Sequence, residues 1–442
     1  MAANITSLGV GSGLDLNTLV NGLMSVERQP LTALNTKLSS VNADISAMGT
    51  LKSALSKFQD SISALADTSA FNVFATNSSD TDVATATAST GAGKGSYSIS
   101  VTRIAENHRM AAATTFANTD TATVASAGNT MTIGVGSQSF AVNIGGKTLQ
   151  QARDAINNAT DNKGVTASII HDNVGYRLLL SAKDTGSANF LTVGYSGSDA
   201  FALASLNTDR NASGSFTAAD LDAVAVIEGT FNVTSSSNTL TDAVQGVSIT
   251  LKSAGSTTLN VERDDAAIKK SADSFASATS NLFAKLKELR TGSLKSYGAM
   301  LRSIESQVRG ILTSTANVGG SFSSLSAVGL ETQRDGSMTV NSTTFTSALQ
   351  TDLSGVVKLF TDSSNGLAVR LKTFMTNYVQ SGGVLESQTK TLSDKASRLT
   401  SQQTKLQAHL DLVENRYIEQ YTKLDSVISK LQSSSSYLSK LF

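Results

Sequence analysis

Two glycine-containing segments have the residue types of phosphate-binding loops. The segment Gly9-Val10-Gly11-Ser12-Gly13 begins like a dinucleotide-binding loop, but Leu14 stands where the last glycine of Gly-x-Gly-x-x-Gly is required. Gly146-Lys147-Thr148 has the form of the end of a nucleotide-binding loop, yet Ala141 occupies the position of its first glycine. We expect Thr148 to cap the start of a helix through its hydroxyl group instead. Neither segment therefore predicts a nucleotide site.

The side chains that most often act in catalysis or bind metals are few and scattered. His108, His171 and His409 lack the spacing of zinc ligands, and the chain contains no cysteine. The sequence also lacks the Gly-x-Ser-x-Gly elbow of a serine nucleophile. Asp264-Asp265 stand where a strand passes into a helix, and carboxylates there suit the positive end of the helix dipole. We predict no catalytic residue, no metal and no cofactor, and a protein that is not an enzyme.

The composition gives the chain no strong electric field. Among its 442 residues, 35 Lys and Arg balance 35 Asp and Glu, and charged residues make up only 16%. Nucleic acid attracts proteins through an excess of positive charge, so we expect no nucleic-acid partner. No segment approaches the ~18 apolar residues that span a bilayer, and we predict no membrane insertion. The first basic residue is Arg28, so the N-terminus lacks the basic region of a cleaved secretory signal.

Apolar residues near the N-terminus recur at the spacing of a coiled coil. One row repeats every seven residues, and a companion row lies three positions away, as the a and d positions of a heptad do. Pro30 fits the first turn of the helix that this pattern predicts, because its missing N–H costs nothing there. The residues of this N-terminal seam are Leu34, Val41, Met48 and Leu55.

The C-terminus repeats this pattern over a longer stretch. The residues of this C-terminal seam are Leu406, Leu410, Val413, Tyr417, Leu424, Val427, Leu431 and Leu438. Gln420 and Ser434 also fall on heptad positions, and the serines at 433–436 lower the helix propensity, so we expect a partner to order this helix. Two interpretations stay open. The seams pair as a structural hairpin within one domain, or they contact sister subunits or a filament.

The middle of the chain has a different apolar period. Between residues 73 and 261 apolar and polar residues alternate as in half-buried strands, with one short helix at 148–159. From Ile268 the helical spacing returns, with a hairpin turn at Asp335-Gly336. The pattern predicts an α+β multi-domain fold, in which coiled-coil-like terminal legs and a helical stalk carry inserted antiparallel β-rich domains. The predicted domains are a leg (1–42 with 390–442), a stalk with the hairpin (43–70 with 268–389), a β-rich head (71–108 with 222–267) and a second, inserted β-rich head (109–221).

Motifs in four separate parts of the chain follow the pattern of one family. The N-terminal motif consists of Gly11, Gly13, Leu14 and Asp15. The other segments are Thr148 to Asn157 with Tyr176-Arg177-Leu178, then Val328-Gly329-Leu330 with Asp335-Gly336, and finally Arg416-Tyr417, Leu424-Asp425 and Ser435-Ser436-Tyr437-Leu438. Taken in this order, they resemble the flagellar hook-associated protein 2 family, the proteins that cap the flagellar filament.

The resemblance implies a structural protein at the distal end of the bacterial flagellar filament, which promotes folding and insertion of exported flagellin and prevents its loss. It implies a homo-oligomeric ring, with a homopentamer expected, and flagellin, an export chaperone and the hook–filament junction proteins as partners. It also implies an extracellular location, reached through flagellar export without a cleaved secretory signal. The two seams would then form the oligomer or filament interface. The alternatives are another flagellar axial protein or a filament-tip adhesin.

Overall fold

The structure is a computed structural model that describes residues 15–197 and 202–438. Its internal contacts divide the chain into two compact units. The helical unit combines Met1–Ala70 with Ile268–Phe442, and the β-rich unit is Phe71–Ala267. Both ends of the chain therefore belong to one unit, and the middle of the chain forms the other. The finer division into leg, stalk and two head domains stays a prediction.

Long helices dominate the helical unit, and one short helix lies in the β-rich unit. In the described part of the chain, the helices are α1 (Leu16–Glu27), α2 (Gln29–Leu65), α3 (Leu149–Asn157), α4 (Asp265–Thr291), α5 (Gly298–Thr313), α6 (Ser342–Thr351), α7 (Leu353–Thr361), α8 (Leu367–Val379) and α9 (Val384–Leu438). Both predicted terminal helices are present. Pro30 lies in the first turn of α2, as its missing N–H requires.

Most strands belong to the β-rich unit, and all described pairings between strands are antiparallel. The strands are β1 (Phe74–Ser78), β2 (Ala84–Ala88), β3 (Gly95–Arg103), β4 (Asn107–Ala112), β5 (Thr130–Val135), β6 (Gln138–Asn143), β7 (Val165–His171), β8 (Tyr176–Thr185), β9 (Leu191–Tyr195), β10 (Leu203–Ser205), β11 (Ala223–Ile227), β12 (Phe231–Ser235), β13 (Thr239–Val244), β14 (Val247–Leu251), β15 (Gly255–Arg263), β16 (Leu330–Thr332) and β17 (Met338–Val340). The α+β fold class is confirmed.

Helix α2 provides the central buried face of the helical unit. Its apolar residues recur at helical spacing, so that one face of α2 packs against α8 and α9. This packing removes the apolar face from contact with water, which stabilises the unit. Phe58 stacks on Phe275 of α4, with ring centroids 6.1 Å apart. The Gln59 amide donates to the Thr376 hydroxyl on α8 at 2.9 Å. The buried residues of α2 are Val41, Ala47, Met48, Leu51, Leu55, Phe58, Ile62 and Leu65.

Turn and cap residues fix the C-terminal half of the helical unit. The β16–β17 hairpin turns at Gly336, whose φ of +91° suits glycine, and this confirms the predicted turn. The two helices that follow the hairpin, α6 and α7, are separate although they are close in sequence. The break falls at Asp352, whose carboxylate accepts from the Gly355 N–H at 2.8 Å and caps a new helix.

In its described part, the β-rich unit contains four sheets and two apolar clusters. The strand orders are β1-β15-β3-β11-β12, β13-β14-β2, β10-β4-β8-β7 and β6-β5-β9. One cluster joins the first two sheets and includes Ile99 and Val261. The other packs α3 against the last two sheets and includes Ile133 and Leu180. The α3 helix begins at Thr148, whose side chain accepts from the Gln151 N–H, and the predicted cap is confirmed.

Candidate assembly surface on the terminal helices

The two ends of the chain pair as antiparallel helices within the helical unit. Arg28, between α1 and α2, donates to the Glu414 carboxylate of α9 at 2.7 Å. Farther along α2, the Asn35 side chain accepts from Gln403 at 2.9 Å. Because residue numbers rise on α2 while they fall on α9, these contacts set the direction of the pair. The predicted association of the two terminal helices within the chain is therefore present.

An apolar, buried cluster also joins α1 to α9. Val20 and Met24 of α1 pack against Leu410 and Val413 of α9, and all four are buried. The Tyr417 hydroxyl lies 3.3 Å from a Glu27 carboxylate oxygen and adds a polar contact at the edge. The half-buried residues that pack around this cluster are Leu31, Leu406, Tyr417, Ile418 and Tyr421.

The N-terminal seam lies almost entirely inside the protein. Val41, Met48 and Leu55 are buried in the helical unit, and Leu34 is half-buried on α2. A side chain that is already covered by its own chain cannot offer apolar surface to another copy. The assignment of the N-terminal seam to an interface between chains stays untested, but its buried members contribute to the core of the helical unit.

The C-terminal seam changes its surroundings along α9. Leu410 is only 2% exposed, whereas Leu424 is 45% and Leu431 is 64% exposed, although all three follow one heptad pattern. Val427 and Leu438 are also more than half exposed. We call Leu424, Val427, Leu431 and Leu438 the open seam. The open seam is thus an apolar row that remains exposed near the end of α9, after the part of α9 that packs against α1.

Helix α1 carries a second exposed apolar row, which the sequence reasoning missed. Leu16, Val20 and Met24 face inward, while Leu19, Leu23 and Val26 lie on the outer face and are 37–62% exposed. We call these last three residues the outer stripe. The signal for it was the presence of apolar residues on two faces of one short helix, which is too wide a band for a single seam.

The N-terminal motif has one member in the described residues. Asp15 is the N-cap of α1, and its carboxylate accepts from the Thr18 N–H at 3.0 Å and from the Thr18 hydroxyl at 2.6 Å. These hydrogen bonds favour the charged carboxylate and lower the pKa of Asp15. Gly11, Gly13 and Leu14 lie outside the described residues. Asp15 therefore starts a helix, and its chemistry is that of a cap.

A polar contact also lies at the α2–α9 interface. Burial raises the pKa of Asp44, and the positive charge of Lys395 on α9 acts in the opposite direction. The pKa of Tyr297 is raised mainly by burial and further by the negative charge of Asp44. These groups join helices at the edge of a core, which is a structural role.

The helical unit also contains a groove between two of its helices. It has a volume of about 870 Å³ between α2 and α4 and is lined mainly by small residues such as Gly49 and Ala278. Its charged residues are Lys57, Lys285 and Glu288, and the last two form an ion pair with each other.

The described residues contain no group of three His, Asp or Glu side chains placed to hold a metal ion. No helix in the described part of the chain is long and apolar enough to span a bilayer.

The geometry defines a class of protein. Both ends of the chain form a helical unit that leaves apolar rows on α1 and α9 exposed, and an antiparallel β-rich unit is inserted between them. Exposed apolar rows are typical of proteins that bind other proteins, and an assembly protein is the class of protein that this geometry favours. The chain belongs to the flagellar hook-associated protein 2 family, whose members are the flagellar filament cap proteins.

Sequence comparison supports this assignment along the whole chain. Residues 12–108 match the N-terminal domain of flagellar hook-associated protein 2, residues 130–184 match the flagellin hook IN motif, and residues 221–433 match the C-terminal domain. The chain is 30% identical to flagellar hook-associated protein 2 of Escherichia coli K12, over 100% of this chain and 98% of the relative. It is 31% identical to the B-type protein of Pseudomonas aeruginosa, over 95% of this chain and 94% of the relative.

Structural comparison agrees with the sequence. The crystal structure of the D1-D2-D3 domains of the flagellar cap protein from Escherichia coli matches with a TM-score of 0.64 and 29% identity. The match covers 78% of this chain and 99% of that structure. The expected function, capping of the flagellar filament, is confirmed.

Proposed function

We propose that the open seam and the outer stripe are the surfaces through which this cap protein contacts sister subunits and flagellin at the filament tip, outside the cell. The change from buried to exposed leucines along α9 carries this proposal. Apolar rows at heptad spacing bind a further helix by burying both faces. Flagellar subunits with helical ends provide partners of this kind, as the family resemblance implies.

The buried and open parts of the C-terminal seam then have separate tasks. Leu410 and Val413 hold α9 against α1, so they keep the two ends of each subunit together. Leu424 and Leu431 remain available for another chain. Burial of an exposed leucine on a partner is worth about 1.5–3 kcal/mol, which makes a short seam a reversible contact.

The remaining features of the proposal follow from the family resemblance. We propose a homopentameric ring, with an export chaperone bound to the free protein and the hook–filament junction proteins as neighbours in the filament. The chain would leave the cell by flagellar export without a cleaved secretory signal. The protein would act without enzymatic chemistry, by holding flagellin until each subunit has folded and entered the filament.

The double substitution of Leu424 and Leu431 by serine tests the open seam. The variant is expressed in a strain that lacks its own cap protein, and filament length and monomeric flagellin in the medium are measured. We expect hooks without filaments and flagellin lost to the medium, as for the strain without a cap protein. Leu412 is 69% exposed on the same helix but lies off the heptad row, so Leu412→Ser is the matched control.

Folding of the purified variants must be followed in parallel. Because these leucines are exposed, substitution of each should change the free energy of unfolding of the isolated chain by less than about 0.5 kcal/mol. Normal filaments with L424S/L431S, or the same defect with Leu412→Ser, would refute the assignment of the open seam. A pentamer is tested separately, by counting copies in images of the filament end.

A further inference from the structure

The chain contains two Asn-Gly pairs, Asn21-Gly22 and Asn365-Gly366. In such a pair, the main-chain nitrogen of the glycine can attack the side-chain amide carbon of the asparagine. Glycine permits this attack better than other residues, because it has no Cβ in the way and its backbone adopts many conformations. The pair reacts only when the local structure lets the two atoms meet. The structure therefore decides which of the two asparagines is modified.

The reaction needs water and no other partner. The glycine nitrogen forms a bond to the Cγ atom of asparagine, and the side-chain nitrogen takes up the proton of the glycine N–H and leaves as ammonia. The product is a succinimide ring. Water then opens the ring at one of its two carbonyl groups, which leaves aspartate or isoaspartate and releases one proton. Each event replaces a neutral amide by a carboxylate.

Helix α1 protects the first pair. Asn21 and Gly22 lie inside α1, away from both of its ends. In an α-helix, each main-chain N–H donates to the carbonyl oxygen four residues before it, and the dihedral angles are fixed. With these angles the Gly22 nitrogen points along the helix toward the preceding turn and away from the side chain of Asn21. Attack therefore requires unwinding of the helix on both sides of this pair.

The second pair lies in a turn at the surface of the helical unit. Ser363, Ser364 and Asn365 are exposed and connect α7 to α8. Gly366 precedes α8 and its backbone is not helical, with a φ of −56° and a ψ of 131°. Its N–H donates to the Asp362 carbonyl oxygen at 2.9 Å. Opening of this one hydrogen bond releases the attacking nitrogen, and such local opening at the surface costs far less than unwinding a helix.

A hydrogen bond from the Asn365 side chain would be lost in the reaction. The Nδ2 atom donates to the Asn317 carbonyl oxygen at 3.1 Å, which joins the turn to the loop after α5. Nδ2 belongs to the group that leaves as ammonia. The carboxylate that replaces it is an acceptor only, so it cannot bond to the Asn317 carbonyl oxygen. Conversion of residue 365 therefore breaks this link.

The start of α8 accommodates the new charge. The N-cap residue Gly366 provides no side-chain hydrogen bond, and the described first turn of α8 contains no acidic residue. A negative charge close to the first turn of a helix is favourable, because it lies at the positive end of the helix dipole. The Asp362 carboxylate is also near, since it accepts from the Asn365 N–H at 2.7 Å. Like charges at residues 362 and 365 repel each other, so the conversion loosens the turn and leaves α8 folded.

We propose that Asn365 is a site of spontaneous deamidation, and that α1 protects Asn21 from the same reaction. Modified chains accumulate with time in the assembled protein, because ammonia is lost and no enzyme is needed. The site lies outside the open seam and the outer stripe, so it is independent of the proposed assembly surface. Its effect is local, because the α7–α8 turn loses its link to Asn317.

Mass spectrometry of peptides from the full chain tests the proposal. The folded chain is incubated at neutral and at mildly alkaline pH, and the conversion of Asn21 and Asn365 is followed in the same samples. We expect Asn365 to react at least about tenfold faster than Asn21. Both reactions should be faster at the higher pH, because the attacking nitrogen must lose its proton. The chain unfolded in guanidinium chloride is the matched control, in which both pairs should react at similar rates.

Two variants separate the modification from its effect. Asn365→Gln keeps an amide, but its longer side chain closes a less favourable ring, so the change of mass at residue 365 should disappear. Asn365→Asp represents the product and should speed hydrogen exchange in peptides that cover 314–321, as in the incubated chain. Equal rates for Asn21 and Asn365 in the folded chain overturn the proposal. It is also overturned if Asn365 stays unmodified in the folded chain while the unfolded chain is converted.

Discussion

Acidification should destabilise the β-rich unit through one buried histidine. His108 on β4 is 1% exposed, and its ring stacks on Phe190 with centroids 4.3 Å apart. The Nδ1 atom accepts from the Leu191 N–H at 2.8 Å, and the Nε2 atom lies 3.2 Å from the Ser205 hydroxyl. Protonation of Nδ1 would place two N–H groups face to face in an apolar site. The folded protein therefore requires the neutral ring.

The size of this effect follows from the change in pKa. Burial lowers the pKa of His108 from 6.5 to about 4. The unfolded chain takes up a proton below pH 6.5 and the folded chain only below about pH 4, so the free energy of unfolding is highest above pH 6.5 and falls between these values. The full loss is about 3 kcal/mol, of which about 2 kcal/mol is reached between pH 7 and pH 5.

The assay is equilibrium urea unfolding at pH 7 and pH 5, followed by hydrogen exchange of peptides that cover β4 and β8. His108→Gln removes the titrating group. The free energy of unfolding of this variant should therefore fall by about 2 kcal/mol less between pH 7 and pH 5 than that of the unmodified chain, whatever the stability of the variant at pH 7. His171→Gln, which removes an exposed imidazole of the same unit, should behave like the unmodified chain. An equal pH dependence for His108→Gln and the unmodified chain would refute the reasoning.

Three further predictions concern the helical unit. Leu55→Ala should lower the free energy of unfolding by about 2–5 kcal/mol in urea unfolding, because Leu55 is fully buried, and a loss below about 1 kcal/mol would contradict this. Asp15→Ala should weaken the first turn of α1, seen as faster hydrogen exchange over residues 16–20, and unchanged exchange would exclude a capping role. The exposed pair of Arg28 and Glu414 should show a coupling of at most ~1 kcal/mol in a double-mutant cycle, and coupling that persists in 1 M salt would argue against a surface ion pair.

Local signals in the sequence were sufficient for the terminal helices and several caps. The heptad rows predicted α2 and α9 because seven-residue repetition is visible without knowledge of the partner. Thr148 and Gly336 were assigned correctly, since a helix cap and a turn depend on a few neighbouring residues. The insertion of the β-rich unit was predicted from the order of the apolar spacings alone, because helical spacing occurs at both ends of the chain and strand-like alternation in the middle.

Pairing between strands that are distant in the chain could not be predicted from the sequence. Strand β11 shows no alternation in the sequence, because its five residues are all apolar, although alternate residues are buried in the structure. Strand β1 pairs with β15, so that Phe74 lies opposite Arg263, and no local pattern indicates such a partner. The break between α6 and α7 at Asp352 could not be predicted from the apolar spacing, because this spacing continues across the two helices.

The candidate assembly surface was also predicted only in part from the sequence. The sequence identified the C-terminal seam, but it assigned the same role to Leu410 and to Leu431. The structure separates them, because α1 covers the first and leaves the second exposed. Coverage depends on where a partner helix lies in space, and heptad spacing carries no information about that.

The composition of the open seam argues for a partner that binds weakly. Burying the four side chains of the open seam, which are about half exposed, on another chain would contribute about 3–6 kcal/mol, and ordering these side chains would offset about 2–4 kcal/mol of this. The serines at 433–436 lower the helix propensity near the end of α9 and reduce the gain further. A contact of a few kcal/mol per subunit can hold a cap in place and still release as each flagellin subunit enters below it. Replacing these serines by alanine should strengthen the contact and slow filament growth, whereas faster growth would show that α9 does not need to release.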